Sequence, residues 1–297
     1  MKIQRRAIEA RLRAPFVSAG GSSAYVSLEL VSVTDPDGAV GHGETIDAAQ
    51  WDLAGRRADQ PVWQLLGAAE APAIEVNATI ASPDREGAAS AAAAARAAGY
   101  RCIKVKVGLG DDAGRLAAVR AAAGAEMAIR IDANGAWSVD EALAALRAFE
   151  PVGIELCEQP AEDVDTCAEV AAKSPIPIAL DEAAPDGLDS RVCDAICLKV
   201  ARFGGISGVV FAAGRARKAG YRVYLASMLD GPLGIATALH AAAAVKPDYA
   251  CGLATLGLFD RSDPLPASNG RIALPSGPGL GDGLVEWYED SYDESLD

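Results

Sequence analysis

The chain has 297 residues, 51% of them hydrophobic, and a formal net charge of −14. That length buries one large core, as a barrel with a small appendage or as two domains, and the acidic balance argues against nucleic acid or an anionic membrane surface as a partner. No stretch reaches the roughly eighteen uninterrupted apolar residues of a membrane helix, and Met1-Lys2-Ile3-Gln4-Arg5-Arg6-Ala7 lacks the apolar block of a secretory signal, so a cytoplasmic location is expected.

From the N-terminus, residues 3–12 and 24–34 alternate polar and apolar, and Asp35-Pro36-Asp37-Gly38 ahead of Val40 signals a tight turn. A small antiparallel sheet is expected there, followed by short helical stretches over 48–55 and 61–67. From residue 74 short β-like runs alternate with Ala-rich helical stretches, the pattern of βα units around a parallel sheet. The runs are 74–80, 102–107, 128–132, 153–158, 176–181, 195–200, 222–226 and a weaker 249–253. Eight such runs match a closed barrel, whereas an open doubly wound sheet usually has fewer strands and a glycine-rich phosphate loop, which this sequence lacks. Ser82 with Pro83 predicts the start of a helix over 84–98, and Ser138 the start of another over 139–148. The six cysteines, at 102, 157, 167, 193, 197 and 251, stand singly in apolar segments, as buried reduced thiols rather than zinc ligands. Residues 282–297 crowd acids around Trp287, Tyr288 and Tyr292 and read as a solvated, frayed tail.

In a parallel barrel the C-terminal strand ends share one mouth, so the polar residues that end successive runs carry the chemistry. Lys104-Val105-Lys106 lies in the second run, Asp132 ends the third, Glu158 the fourth and Asp181 the fifth, and Lys199 lies in the sixth. Strand side chains alternate faces, so Lys104 and Lys106 project to the same side. Mutual repulsion, partial desolvation and a nearby metal would let one of them serve as a neutral base; the alternative is a surface pair on an edge strand. Three carboxylates converging from adjacent staves, with no histidine or cysteine among them, select Mg2+, with Mn2+ as a substitute; the alternative is ordinary turn acids. Lys199 would face Lys106 across the mouth as a second acid/base or an anion-stabilising cation, or else pair with one of the acids. His42 and His240 fall at no strand end, and His240 reads as a helix residue.

Lys104-Val105-Lys106, Asp132-Ala133-Asn134, Glu158-Gln159-Pro160, Asp181-Glu182 and Lys199 occur in an order and spacing that resemble the muconate-lactonizing-enzyme subgroup of the enolase superfamily, over about residues 72–281. The resemblance implies an α/β fold: a (β/α)7β-type modified TIM barrel over 72–281, a small α+β capping domain over 1–71, and the acidic tail 282–297. It implies Mg2+ held by Asp132, Glu158 and Asp181, Lys106 as the base, Lys104 assisting it, and Lys199 on the opposite face. The implied reaction removes the proton α to the carboxylate of a small acid, through an enediolate. A homo-oligomer is compatible with this reading.

Val76-Asn77-Ala78-Thr79, Leu198-Lys199-Val200-Ala201, Ala226-Ser227-Met228-Leu229-Asp230 and Ala250-Cys251-Gly252-Leu253-Ala254-Thr255 are similar to the o-succinylbenzoate synthase family, whose members dehydrate a cyclohexadiene carboxylate in menaquinone biosynthesis. That likeness implies substrate contacts at Asn134, Ser227 and Asp230. The segments Ala14-Pro15-Phe16, Gly41-His42-Gly43-Glu44 and Trp51-Asp52-Leu53-Ala54-Gly55 resemble instead the caps of dipeptide epimerases and N-succinylamino-acid racemases, but Leu253-Ala254-Thr255-Leu256-Gly257 lacks the epimerases' Asp-x-Asp, so the resemblance favours dehydration of the synthase type, with the epimerase or racemase as the alternative. Family caps carry several tens of residues between the Gly-x-Gly-Glu turn and the Trp-Asp-Leu helix; here Ile46 follows Glu44 almost at once, leaving the loop 18–23 as a partial lid. A binding or scaffold protein that kept the metal cluster is the rival from another class. A metal-dependent aldolase, with histidine at its metal, is a third reading.

Overall fold

The structure, a computed structural model, describes residues 1–18 and 21–289. β1 (Lys2–Ser18) and β2 (Gly21–Thr34) form a long antiparallel hairpin extended by β3 (Val40–Gly43). Alternation decides its faces: Ile8, Ala10 and Leu12 of β1 and Leu28 and Leu30 of β2 are buried, while the residues between them are polar or exposed. The pairing register slips between Arg11 and Phe16, which bends the outer half of the hairpin. Phe16 and Ser18 thereby line a cavity at the barrel mouth. The root is pinned, since Leu12 bridges Phe259 and Arg13 Nη2 donates to Arg261 O at 2.9 Å. The tip residues 19 and 20 of the expected lid lie outside the described residues.

α1 (Ile46–Ala58) begins at Thr45, whose hydroxyl accepts from Ala48 N at 3.1 Å. Its first turn also serves a barrel helix, α8 (Ile206–Ala219), which has no side-chain cap on its own chain segment. Asp47 accepts from Ser207 N at 3.1 Å and Ser207 Oγ at 2.6 Å, and Trp51 Nε1 donates to the same hydroxyl at 2.9 Å. Gly205 permits this approach, because a Cβ there would stand 2.3 Å from Asp47 Oδ2. Asp52, fully buried, accepts from His42 N, Leu280 N and Arg56 Nε, so one carboxylate ties three segments together. A short α2 (Val62–Leu65) follows.

The barrel strands β5 (Ala78–Ile80), β6 (Cys102–Lys106), β7 (Ala128–Asp132), β8 (Ile154–Glu158), β9 (Ile178–Leu180), β10 (Ala195–Leu198) and β11 (Arg222–Leu225) pair in parallel and in chain order. Each is followed by a helix: α3 (Arg85–Ala97), α4 (Asp112–Ala123), α5 (Val139–Phe149), α6 (Val164–Ala171), the single-turn α7 (Ala184–Gly187), α8 and α9 (Pro232–Val245). The eighth stave closes the ring through parallel bridges Val76–Cys251 and Ala226–Gly252, with Asn77 N to Cys251 O at 2.9 Å and Gly252 N to Leu225 O at 2.8 Å. The expected run 74–80 divides: β4 (Ile74–Glu75) turns away to pair antiparallel with β12 (Arg271–Ile272), and only β5 joins the barrel. The expected run 249–253 contributes bridges rather than a regular strand.

Ile103, Val105, Ile129 and Ile131, all 0% exposed, pack outward from the strands toward the helices. α9 is apolar on every face and almost wholly buried, because α2 and β3 cover the side turned away from the barrel. Inside the barrel lie small or slender residues, Leu156, Ala179, Ala195, Cys197 and Ala226, with Tyr224. Their small volume leaves the axis to charged side chains. All six cysteines are free and buried, as expected. α5 starts at Ser138 with a complete capping box, but α3 starts at Asp84, whose Oδ1 accepts from Gly87 N at 2.7 Å; Ser82 instead offers its carbonyl to Arg115 Nε.

The expectation of a frayed tail fails for residues 282–289. Trp287 and Tyr288 are 4% and 2% exposed, Trp287 meets Phe259 edge-on at 5.4 Å, and Tyr288 donates to Glu44. The aromatic payload outweighs the surrounding charge. Tyr292 lies outside the described residues. Among the described residues no helix is long and apolar enough to cross a membrane.

Candidate active site

Strand register sets the site. Lys106 stands opposite Asp132 across β6 and β7, and Asp132 opposite Glu158 across β7 and β8; Asp181 follows the last residue of β9. Alternation then turns Lys104, Lys106, Asp132 and Glu158 into the barrel, as the sequence predicts. Lys106 and Lys199 extend from the second and sixth of eight staves and so approach one cavity from opposite walls. Both line it, with Lys104, Arg202 and Phe16; its volume is about 210 Å3.

Every charge here is close to another. Lys104 Nζ lies 2.6 Å from Glu158 Oε1 and 2.8 Å from Asp132 Oδ2, while Lys106 Nζ lies 2.6 Å from that same Asp132 oxygen and 2.8 Å from Asn134 Oδ1. Lys199 pairs with Asp181 Oδ2, and Arg202 reaches Asp181 Oδ1 at 3.1 Å. Tyr224 donates its hydroxyl to Glu158 Oε2 at 2.7 Å. Lys106 Nζ also lies 5.8 Å from the Phe16 ring centre. The three carboxylates are at most 1% exposed, so amines and a phenol take the place of water.

Burial disfavours the charge on Lys104, yet Asp132 and Glu158 prevail and hold its ammonium well above the usual range. At Lys104 two touching carboxylates outweigh one neighbouring amine. Lys199 is likewise raised, burial opposing and Asp181 prevailing. Burial and the charges of Asp132 and Asp181 raise Glu158 against the pull of Lys104, whereas Lys104 and Lys106 overcome burial to hold Asp132 far below the carboxylate range.

The donor set suits a hard divalent cation. Glu158 and Asp181 present oxygens within 4.8 Å of one another and of Cys197 Sγ, and Asp132, turned toward the lysines, stands outside that trio. Cys197 was not among the expected site residues. Burial holds its thiol well above the usual range, which favours the protonated form in this arrangement.

Of the expected substrate contacts, Asn134 and Ser227 line the cavity and Asp230 does not. Asn134 sits at φ +48°, a left-handed position asparagine tolerates, with its amide bonded to Asp132 Oδ1 at 2.9 Å. Ser227 Oγ meets Thr255 Oγ1 and accepts from Leu229 N, both at 2.9 Å. Asp230 lines an adjoining hollow of about 240 Å3. Gln159, quoted in a motif but given no role, is fully buried and joins strand ends: its Oε1 accepts from Asp181 N at 2.8 Å and Ala183 N at 3.2 Å. Tyr224 and Arg202 are site residues that sequence reasoning missed. Neither histidine enters the site: His42 Nδ1 meets Ser32 Oγ at 3.0 Å in the cap, and buried His240, pushed down to about 4, accepts from Trp63 N.

Residues 87–288 match the family described as enolase C-terminal domain-like. N-succinyl-L-Arg/Lys racemase of Bacillus cereus is 32% identical over 212 residues, 68% of this chain and 58% of that protein. o-Succinylbenzoate synthase of Thermobifida fusca is 36% identical over 216 residues, 68% of this chain and 66% of that one. The matches thus span less than two thirds of those relatives. The solved muconate lactonizing enzyme of Pseudomonas fluorescens superposes with a TM-score of 0.88 at 24% identity, over 96% of each chain, and shares the fold. With two thirds of its length matched by the family and its strand-end lysines and acids standing where the sequence motifs placed them, this chain is a member of the enolase superfamily.

Proposed function

We propose that the protein removes the proton α to a substrate carboxylate with Lys106 and returns one from the opposite face with Lys199, as racemases and epimerases do. The observation that carries this reading is the pair of amines entering one cavity from opposite walls. Asp132, Glu158 and Asp181 would hold Mg2+, which when bound would neutralise charge developing on the substrate carboxylate. Asp132 and Asn134 aim the Lys106 amine, Asp181 and Arg202 aim that of Lys199, and Phe16 with Ser18 screens the mouth from water. The partner on this reading is a small carboxylate in the cytoplasm, with no nucleic acid or membrane involved.

Dehydration of the o-succinylbenzoate synthase type is the second reading, favoured by the 36% identity to that relative. Lys106 would then take the proton and pass it to the departing hydroxide, while Lys199 serves only as a cation. Incubation with Mg2+ in D2O, using N-succinylamino acids and the cyclohexadiene carboxylate, separates the two. Exchange with loss of optical activity is expected, slowed on the order of a thousandfold in Lys106→Ala. Dehydration without exchange would establish the second reading, and inertness toward every acid would defeat both.

A further inference from the structure

The backbone accounts for four of the six buried thiols. Those of Cys157, Cys167, Cys193 and Cys251 donate to the carbonyls of Glu158, Ala161, Ala195 and Tyr249 at 4.0, 3.3, 3.3 and 3.9 Å. Cys102 and Cys197 make no hydrogen bond among the described residues, and their surroundings differ. Cys102 lies in the wall of a cavity at the N-terminal end of the barrel. Cys197 is 1% exposed and packs inside the barrel with Ala179, Ala195 and Tyr224. Its Sγ stands within 4.8 Å of an oxygen of Glu158 and of an oxygen of Asp181. A buried polar atom without a partner, aimed at two carboxylates, is placed to serve as a ligand.

Depth separates this trio from the lysine cavity above it. Cys197 and Lys199 stand two residues apart and point to the same side of the chain, yet Lys199 lines that cavity and the thiol does not. At roughly 3.3 Å per residue the sulfur's position lies about 7 Å further down the strand. Glu158 and Asp181 can accept a cation beside their present partners. Lys104 and Tyr224 take one oxygen each of Glu158, and Lys199 and Arg202 one each of Asp181. An ionised carboxylate offers about four lone-pair sites, so every one of these oxygens keeps one. The thiol changes which metal is preferred: oxygen donors alone suit Mg2+, whereas sulfur brings in Zn2+ and its softer neighbours. Zinc bonds of roughly 2.0–2.3 Å set tetrahedral donors about 3.5 Å apart, so side-chain rotations that draw the trio in by about an ångström fill three of four positions.

We propose that Glu158, Asp181 and Cys197 form a second metal-binding arrangement, selective for zinc-like cations and seated on the barrel axis beneath the lysine cavity. On binding, the Cys197 thiol gives its proton to solvent and its thiolate becomes a ligand. Because Glu158 and Asp181 also belong to the proposed Mg2+ set, the two cations compete for them. The competition rests on the magnesium reading above; the sulfur ligation does not.

The test titrates the full chain with Co2+, a spectroscopic stand-in for Zn2+, and reads the near-ultraviolet charge-transfer band of a thiolate-bound metal. The parent should give the band at one equivalent, Cys197→Ser and Asp181→Ala should each lose it, and excess Mg2+ should bleach it. In Cys197→Ser the affinity for Zn2+ should fall at least about tenfold while that for Mg2+ stays within about twofold of the parent. X-ray absorption of the parent carrying one equivalent of Zn2+ needs no variant, and should show one sulfur at about 2.3 Å among lighter donors. A shell of light atoms alone, no band in the parent, or a band that persists in Cys197→Ser would overturn the inference. A band in a protein whose melting curve ignores Mg2+ would sustain the sulfur ligation and sink the magnesium reading, whereas a magnesium response without a band would do the reverse.

Discussion

The two ends of the barrel axis are both charged, and they are built differently. At the C-terminal mouth charges are shared: one Asp132 oxygen serves Lys104 and Lys106, and Glu158 divides its oxygens between Lys104 and Tyr224. At the N-terminal end Arg130 is fixed by Glu155 at 2.6 Å and Ala250 O at 2.7 Å, with the Tyr224 and Tyr249 rings 5.2 and 4.9 Å from its guanidinium. A cavity of about 450 Å3, larger than the one at the lysines, opens at that end. Size is therefore no guide to the motif residues here: at one end each carboxylate is shared among several donors, and at the other a saturated, stacked arginine forms a plug.

Arg130→Met tests that contrast most severely. It leaves a carbonyl and Glu155 without their donor, and because Glu155 is 33% exposed at its side chain the loss should fall near the low end for a broken buried pair, about 3 kcal/mol in urea unfolding. Stability within about 0.5 kcal/mol of the parent would show that the arginine is no plug. Asp181→Ala acts at the other end: the parent should gain about 2.7 kcal/mol from Mg2+ at a hundred times its Kd, and the variant essentially nothing. An unchanged magnesium response in the variant's melting curve would remove Asp181 from the metal set. Tyr224→Phe, which touches both ends, should weaken Mg2+ binding about tenfold while costing about 1 kcal/mol of stability, since its hydroxyl bond to Glu158 is lost and the ring stays. Titration calorimetry that finds unaltered affinity would confine Tyr224 to the plug.

The mouth was legible because strand alternation is a local rule: Lys104, Lys106, Asp132 and Glu158 follow from where each run ends. Arg130 and Tyr224 went unnoticed, because nothing in a single strand shows that the Tyr224 hydroxyl, on β11, meets Glu158 three staves earlier on β8. Phe16 and Arg202 escaped for the same reason, since their places depend on how hairpin and loops fold across the barrel. The break in the run 74–80 escaped because Ile74-Glu75-Val76-Asn77-Ala78-Thr79-Ile80 alternates without interruption; its division is decided by β12, nearly two hundred residues away in sequence. Asp230 lines the adjoining hollow, one residue past Leu229, whose left-handed backbone turns the chain after Met228.

Asp47 of the cap completes the first turn of α8, and this fastens the appendage at its base. Prising the two apart would strand the amide of Ser207 and the indole of Trp51, which opposes a swing of the whole lobe. What overhangs the cavity is the described part of the β1–β2 ribbon beyond its register slip at Arg11, with Phe16 and Ser18, while the knuckle stays clenched.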